Sequence, residues 1–227
     1  YSVDASYMAK PKVGYIKLNN FSASSVDEIK KAVYKLKADG MKDLILDLQN
    51  NGGGYLMTAV ELVDQFLSEP KLVVSTKGRA FPERKFQTRF NGILEDGRLV
   101  VLVNENTYSD GEALAEGFKQ LGLGTTIGMR TWGGQIWLNS SNRQSDGGLA
   151  RAPMIGVYGN NGDWLIEGRG YEPDIVLDNL PHETYNGKDA QLEAAIELLK
   201  KKILEDPRDV PKVPAYPDKS FKNNRKE

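Results

Sequence analysis

The sequence predicts an α/β fold with a mainly parallel sheet. Residues 43–48 and 98–103 are almost continuously apolar, as expected of strands that are buried on both faces. Each run leads through a loop into a helical pattern, and this alternation repeats along the chain. Parallel strands joined by right-handed crossover helices are the usual result. With 227 residues, the chain is long enough for a substantial core.

The first part of the chain contains two strands and two helices. Residues 13–18 alternate roughly between apolar and polar side chains and predict a strand. Ser25 begins a Ser-x-x-Glu capping box, and the helix that it opens ends at Gly40, a typical C-terminal cap. After the second strand, the glycine loop (residues 50–54, Asn-Asn-Gly-Gly-Gly) leads into a helix near 55–68. That helix is apolar almost all round, so we expect it in the interior.

The rest of the chain repeats the pattern and then changes in composition. It predicts a helix near 110–121, a strand at 125–128, an amphipathic helix at about 188–204, and hairpins with long loops at 71–90 and 132–158. Residues 206–227 hold four of the ten prolines and little apolar periodicity. We therefore expect a core domain over 1–205 and an extended tail, rich in Pro and Lys, over 206–227.

Composition excludes several classes of function. Lys and Arg total 30 and Asp and Glu total 31, so a chain with net charge −1 offers no general basic surface to nucleic acid. Without Cys, disulfides, cysteine nucleophiles and thiolate metal sites are excluded, and a single His excludes a multi-histidine metal site. No apolar run reaches the ~18–20 residues that span a bilayer. We expect neither a metal nor a cofactor.

The glycine loop is the first candidate for a site. It follows a buried strand and precedes a helix, at the end of a parallel sheet where ligands usually bind. Its glycines let the backbone approach a ligand closely, and the helix start offers free N–H groups to an oxyanion or a phosphate. The loop lacks the Gly-Lys-Ser/Thr of a P-loop. A plain strand-to-helix turn is the alternative interpretation.

Ser109 is the second candidate, because it lies between a strand and a helix, where a nucleophile can be held at the edge of the sheet. The pattern is not the G-x-S-x-G elbow, and Ser109 with Glu112 also forms a capping-box pattern. The two roles are compatible, since the N–H of Asp110 would point beside the serine. Glu167, among glycines, by itself indicates solvated surface, and His182 is interpreted as structural because it lies outside the parallel core.

Four stretches together resemble the catalytic domain of the tail-specific, or C-terminal processing, serine proteases. They are Gly-Tyr-Ile-Lys-Leu at 14–18, Asp-x-x-x-Asn-Gly-Gly-Gly at 47–54, Val-Leu-Val-Asn-Glu-x-Thr-x-Ser at 101–109, and Ile-Gly-x-x-Thr-Trp-Gly from residue 127. The resemblance covers roughly residues 10–205. It implies a ClpP/crotonase-like α/β spiral, with crossover helices and β-hairpin insertions.

The resemblance also implies roles for individual residues. In the serine–lysine branch of the family, the lysine base follows the nucleophile by 25 residues, and here that position is Gly134. The chain is more similar to the tricorn-like branch, which would make Ser109 the nucleophile. The backbone N–H groups of Gly53, with an uncertainty of one residue, and Asp110 would then form the oxyanion hole. Glu167 would orient or polarise a serine–histidine pair.

That pair lies outside the chain if the resemblance holds. In the tricorn-like branch, the histidine and a second serine come from a segment before a PDZ-like domain, and His182 matches a position that is not catalytic. We therefore expect the general base in an upstream segment of a longer protein, and little or no activity in this chain alone. The expected partners are a peptide or protein substrate and that upstream segment, and a homo-oligomer stays open.

Three functions fit these residues. The leading one is a serine endopeptidase that hydrolyses peptides or unfolded protein C-termini. The second is a non-catalytic protein that binds peptides or apolar ligands, since retinoid-binding proteins share the implied fold. An acyl-CoA enzyme of the crotonase type is disfavoured, because nothing in the sequence requires CoA. The family resemblance favours a periplasmic or cell-envelope location, and a cytoplasmic location fits a tricorn-like protein as well.

Overall fold

The structure, a computed structural model, describes residues 1–89, 92–94, 97–138 and 142–207. Its first elements are β1 (Val3–Lys10), β2 (Val13–Leu18), α1 (Ser25–Ala38), β3 (Asp43–Asp47), α2 (Leu56–Asp64), β4 (Leu72–Gly78), β5 (Phe81–Gln87) and β6 (Leu99–Val103). They are followed by α3 (Asp110–Gln120), β7 (Gly124–Gly128), β8 (Trp137–Leu138), β9 (Pro153–Tyr158), β10 (Ile175–Val176), α4 (Pro181–Tyr185) and α5 (Ala190–Glu205).

A six-stranded sheet in the order β1-β2-β3-β6-β7-β10 forms the centre of the fold. Every neighbouring pair in it is parallel except β1 with β2. Helices α1, α2 and α3 cover one face, where Leu46, Val101 and Phe118 belong to one buried cluster. Helix α5 covers the other, where Ile45 and Leu199 belong to a second cluster. The predicted α/β class and mainly parallel sheet are confirmed.

A second sheet of four strands, β5-β4-β9-β8, is antiparallel throughout. Its strands come from the two segments, 71–90 and 132–158, that were expected to form hairpins and long loops. Residue 90 and residues 139–141 of those segments lie outside the described residues. These insertions lie within the connections from β3 to β6 and from β7 to β10, so they add a sheet without interrupting the parallel order.

Two local expectations need correction. The N-cap of α1 is Ser24, one residue earlier than expected, and Ser25 is the first helical residue. Glu28 does not return to the backbone N–H of Ser25; its Oε2 accepts hydrogen bonds from the backbone N–H groups of Ser2 and Val3, at 2.8 and 2.9 Å. The acid therefore fastens strand β1 to α1. Helix α2 ends at Asp64, four residues before the predicted end.

The C-terminal prediction is only partly covered. Helix α5 ends at Glu205, and its C-cap Asp206 pairs with Arg98, whose Nη2 lies 3.1 Å from Asp206 Oδ2. The predicted tail begins there, and residues 208–227 lie outside the described residues. Among the residues that the structure describes, no helix is both long and apolar enough to span a membrane.

Candidate active site

The glycine loop and the serine turn (residues 104–109) meet at one edge of the main sheet. They follow β3 and β6, which are parallel neighbours, so both loops leave the sheet at the same end. The hydroxyl of Thr107 donates to the carbonyl of Leu48 at 2.7 Å, and the N–H of Tyr108 donates to the carbonyl of Asn51 at 3.0 Å. The topology therefore brings the two sequence candidates together.

Ser109 has a backbone conformation that is rare for a residue with a side chain. It is the N-cap of α3, with φ of 57° and ψ of −125°. Non-glycine residues with positive φ are strained, and nucleophiles of hydrolases are often held in such turns between a strand and a helix. The predicted capping box is present: the Ser109 N–H donates to Glu112 Oε2 at 3.0 Å.

Gly53 packs directly against Ser109. Its φ is +72°, and a Cβ at this position would lie 2.6 Å from Ser109 Cβ and 2.9 Å from the backbone nitrogen of Asp110. Only glycine therefore fits, and the two proposed oxyanion donors are adjacent. The N–H of Gly53 donates to Asn51 Oδ1 at 2.9 Å. For Gly53 to bind an oxyanion, that hydrogen bond has to be exchanged for one to the ligand.

The side chain of Asp110 is a buried carboxyl group beside the candidate nucleophile. It is 3% exposed, and its Oδ1 has no hydrogen-bond partner in the described part of the chain. Burial raises the pKa of Asp110 to about 7, although the nearby amide of Gln135 and the backbone N–H of Gly54 oppose the rise. This carboxyl group therefore changes its protonation near neutral pH.

Glu112 joins Ser109 to the segment 131–136. It is fully buried, and besides the N–H of Ser109 its carboxylate accepts the hydroxyl of Thr131. The same carboxylate accepts the N–H of Gly133 at 2.7 Å and the N–H of Gly134 at 3.0 Å. Four donors thus satisfy one buried acid. This contact was missed in the sequence, where the spacing to Ser109 indicated only a capping box.

Glu167 binds the second half of the segment 131–136. Its Oε2 accepts the backbone N–H groups of Gln135 at 2.7 Å and Ile136 at 2.9 Å. The N–H of Gly168 also donates to the carbonyl of Gly133 at 2.8 Å. No hydrogen bond links Glu167 to Ser109 among the described residues. The described hydrogen bonds therefore join these two predicted site residues only indirectly, through Glu112 and the segment 131–136.

A base for Ser109 is absent from the part of the chain that the structure describes. No Lys or His side chain there hydrogen-bonds to the Ser109 hydroxyl, and His182 lies exposed in α4, beyond β10. At the lysine position of the serine–lysine branch, Gly134 donates its N–H to the same Oε2 of Glu112 as Ser109 does, each at 3.0 Å. Because both hydrogen bonds share this oxygen, the backbone nitrogens of Ser109 and Gly134 lie no more than twice 3.0 Å apart.

Asn51 is a second residue that the sequence did not single out. It is fully buried; its Nδ2 donates to the carbonyl of Leu18 at 2.7 Å, while its Oδ1 holds Gly53. The only signal in the sequence was its position directly before the glycines.

The described residues contain no group of three or more acidic, Cys or His side chains that could hold a metal ion.

The geometry can therefore hold a hydroxyl nucleophile at a helix start, with backbone donors beside it.

The sequence pattern of peptidase family S41 matches residues 12–177. The tricorn protease of Thermoplasma acidophilum is 28% identical over 207 residues, which are 91% of this chain and 18% of that protein. A probable CtpA-like serine protease of Staphylococcus aureus is 32% identical over 82% of this chain and 37% of its own length.

The solved structures agree with these sequence relatives. The photosystem II D1 C-terminal processing protease superposes with a TM-score of 0.65 at 29% identity, over 75% of this chain and 43% of that one. The chain spans less than half the length of each of these three proteins.

Proposed function

Because the chain belongs to peptidase family S41, we propose that it is the nucleophile-bearing domain of a tricorn-like serine endopeptidase. Its substrates would be peptides or the unfolded C-termini of proteins. The observation that carries the proposal is Ser109, held at positive φ at the start of α3 and packed against Gly53. A serine that only capped a helix would not need a strained conformation.

The proposed reaction uses the residues at the sheet edge. The Ser109 hydroxyl attacks the scissile carbonyl, its proton passes to a base and then to the leaving amine, and water hydrolyses the acyl-enzyme. The N–H of Asp110 and that of Gly53, once released by Asn51, would stabilise the oxyanion. Glu167 would act at one remove, through the segment 131–136 that it holds.

The base would come from outside this chain. We propose that an upstream segment with a histidine and a second serine, beyond a PDZ-like domain, completes the site, with residues 1–205 as the core domain and 206–227 as a tail. The resemblance supports this division, and so does the lack of a base on Ser109 in the described residues. A periplasmic or cell-envelope location is proposed on the same resemblance, with a cytoplasmic one as the alternative; fractionation of cells decides between them.

A fluorophosphonate probe tests the assignment of Ser109 in the full-length protein. We expect the probe to label the wild type, and Ser109→Ala to lose both labelling and peptide hydrolysis while it stays folded. Ser24→Ala is the matched control, since Ser24 also occupies a helix N-cap position, and a substitution at such a position costs at most about 0.5–2 kcal/mol. Undiminished hydrolysis by Ser109→Ala would refute the assignment.

The second candidate function is a non-catalytic protein that binds peptides or apolar ligands. The observation that favours it over the peptidase is the lack of a base on Ser109 in the described residues, because binding needs no activated hydroxyl. A full-length protein that binds peptides but is neither labelled nor hydrolytic would establish this alternative.

A further inference from the structure

Two exposed aromatic side chains stand next to the candidate nucleophile. Tyr108 precedes Ser109 in the chain and is 40% exposed, while Trp132 is 69% exposed. Their rings meet nearly edge to face, with centroids 5.3 Å apart and an angle of 76° between the planes. This arrangement is favourable for aromatic pairs and holds both rings in place. We call Tyr108 and Trp132 the aromatic pair.

Glycines on two sides of the site make room for the rings. A Cβ on Gly52, in the glycine loop, would lie 2.9 Å from the Tyr108 hydroxyl. A Cβ on Gly134 would lie 3.1 Å from the indole of Trp132. Neither glycine has the positive φ that would require glycine for backbone reasons. A side chain at either position would crowd the rings unless the rings moved.

The main chain fixes the same pair to the nucleophile. The N–H of Trp132 donates to the carbonyl of Thr107 at 3.1 Å, two residues before Ser109. Glu112 adds a second connection, because its carboxylate binds both the N–H of Ser109 and the hydroxyl of Thr131. The aromatic pair thus has a fixed position relative to Ser109, although much of its apolar surface faces solvent.

We propose that the aromatic pair is a substrate subsite that binds an apolar side chain, aromatic or aliphatic, beside the scissile bond. The proposal rests on the proposed function, since it takes Ser109 to be where the peptide is cut. Residues of an extended peptide are about 3.3–3.6 Å apart, so a peptide bond at Ser109 brings its flanking side chains to the neighbouring Tyr108. Two uncharged rings would select an apolar side chain by burying it.

Peptide binding tests the subsite without catalysis. The full-length protein with Ser109→Ala would be titrated against a fluorescein-labelled Gly-Ser decapeptide with a central Phe and against the same peptide with a central Gly. We expect the Phe peptide to bind more tightly. Trp132→Ala should weaken the Phe peptide about tenfold, as expected for the loss of one aromatic contact of ~1.4 kcal/mol, and leave the Gly peptide within twofold.

Trp164→Ala is the matched control for this experiment. Trp164 is 58% exposed and forms a similar pair with Tyr158, with centroids 5.9 Å apart and the same angle of 76°. The Trp164→Ala variant should bind both peptides as tightly as the full-length Ser109→Ala protein does. If Trp132→Ala weakens both peptides equally, or neither, the subsite proposal is overturned.

Cleavage mapping separates the failure of the subsite from the failure of the proposed function. Unfolded casein would be digested with the full-length protein, and the cut sites read by mass spectrometry. We expect apolar residues to be enriched beside the cut bond, and Trp132→Ala to lose the enrichment while Trp164→Ala keeps it. If the wild type, Trp132→Ala and Trp164→Ala all cut with the same preference, the subsite proposal is wrong and the peptidase proposal stands. An absence of cuts contradicts the peptidase, while the binding titration still decides the subsite.

Discussion

Ser109 adopts a conformation that costs free energy, and its neighbours hold it there. Positive φ in a residue with a side chain costs of the order of 1–3 kcal/mol. Two contacts offset this cost. The N–H of Ser109 donates to the buried Glu112, and Ser109 packs so closely against Gly53 that a Cβ on residue 53 would not fit. Strain that is kept at one serine, and supported from two sides, is expected where the exact direction of a hydroxyl matters for function.

At the same scale, Asp110 predicts how stability depends on pH. Its folded pKa of about 7 lies above the value of about 3.9 for an unfolded Asp. Between these values the folded state binds more protons, so the free energy of unfolding falls as the pH rises from about 4 to about 7. Asp110→Asn should remove this fall and stabilise the protein at pH 8, by up to about 4 kcal/mol.

Urea denaturation at pH 5 and pH 8 measures the effect of Asp110→Asn. Asp27→Asn serves as the control, because Asp27 is also an acid in the first turn of a helix but is exposed. The control should change stability equally at both pH values. A difference between Asp110→Asn and wild type that is the same at pH 5 and pH 8 would show that Asp110 does not titrate in this range.

At the scale of elements, the segment 131–136 connects the acids of the site. Glu112 holds its first half and Glu167 its second half, each through backbone N–H groups. Under the proposed function, this position would make Glu167 a positioning residue. Its carboxylate sets the path of a segment that reaches to within two hydrogen bonds of Ser109.

Glu167→Gln should therefore lower kcat more than it raises KM in the full-length enzyme. A Gln keeps one carbonyl oxygen for the two N–H groups but loses the charge, so the segment shifts relative to the reacting atoms. Steady-state kinetics on a peptide measure both constants. Glu172→Gln is the control, an exposed acid on the same loop that pairs with Arg130 at 3.2 Å. A change in KM alone would assign Glu167 to substrate binding instead.

The sequence predicts the buried elements well and the edges poorly. β3 and β6 are evident because both faces of these strands are covered, which requires apolar runs. β1 was missed because it is an edge strand whose residues are only partly buried, so its sequence has no clear period. Ser109, Asp110 and the glycine loop could be proposed as site residues from the sequence because loop position at a sheet end is local information.

The contacts of Glu112 could not be predicted, since they join it to residues 19 to 22 positions further along the chain. Tertiary contacts of this kind leave no periodic signal in one sequence. The capping-box spacing explained Glu112 locally and so concealed its other partners.

At the scale of the whole molecule, the described residues bring the proposed nucleophile, Ser109, next to its proposed oxyanion donors, and no Lys or His among them hydrogen-bonds to the Ser109 hydroxyl. The only His in the sequence is His182, which lies exposed on α4, and the lysine position is Gly134. General-base assistance is typically worth about 10²–10⁴-fold in rate. An upstream segment that supplies the base would therefore account for most of the activity of the full-length protein.

The most direct test compares peptide hydrolysis by the isolated 227-residue chain with that by the full-length protein, at equal concentration and after circular dichroism has shown both to be folded. The account predicts at least a hundredfold lower rate for the isolated chain. It also predicts recovery when the upstream segment is added back as a separate chain, and no effect of His182→Ala in the full-length protein. Robust turnover by the isolated chain that His182→Ala abolishes would contradict the account.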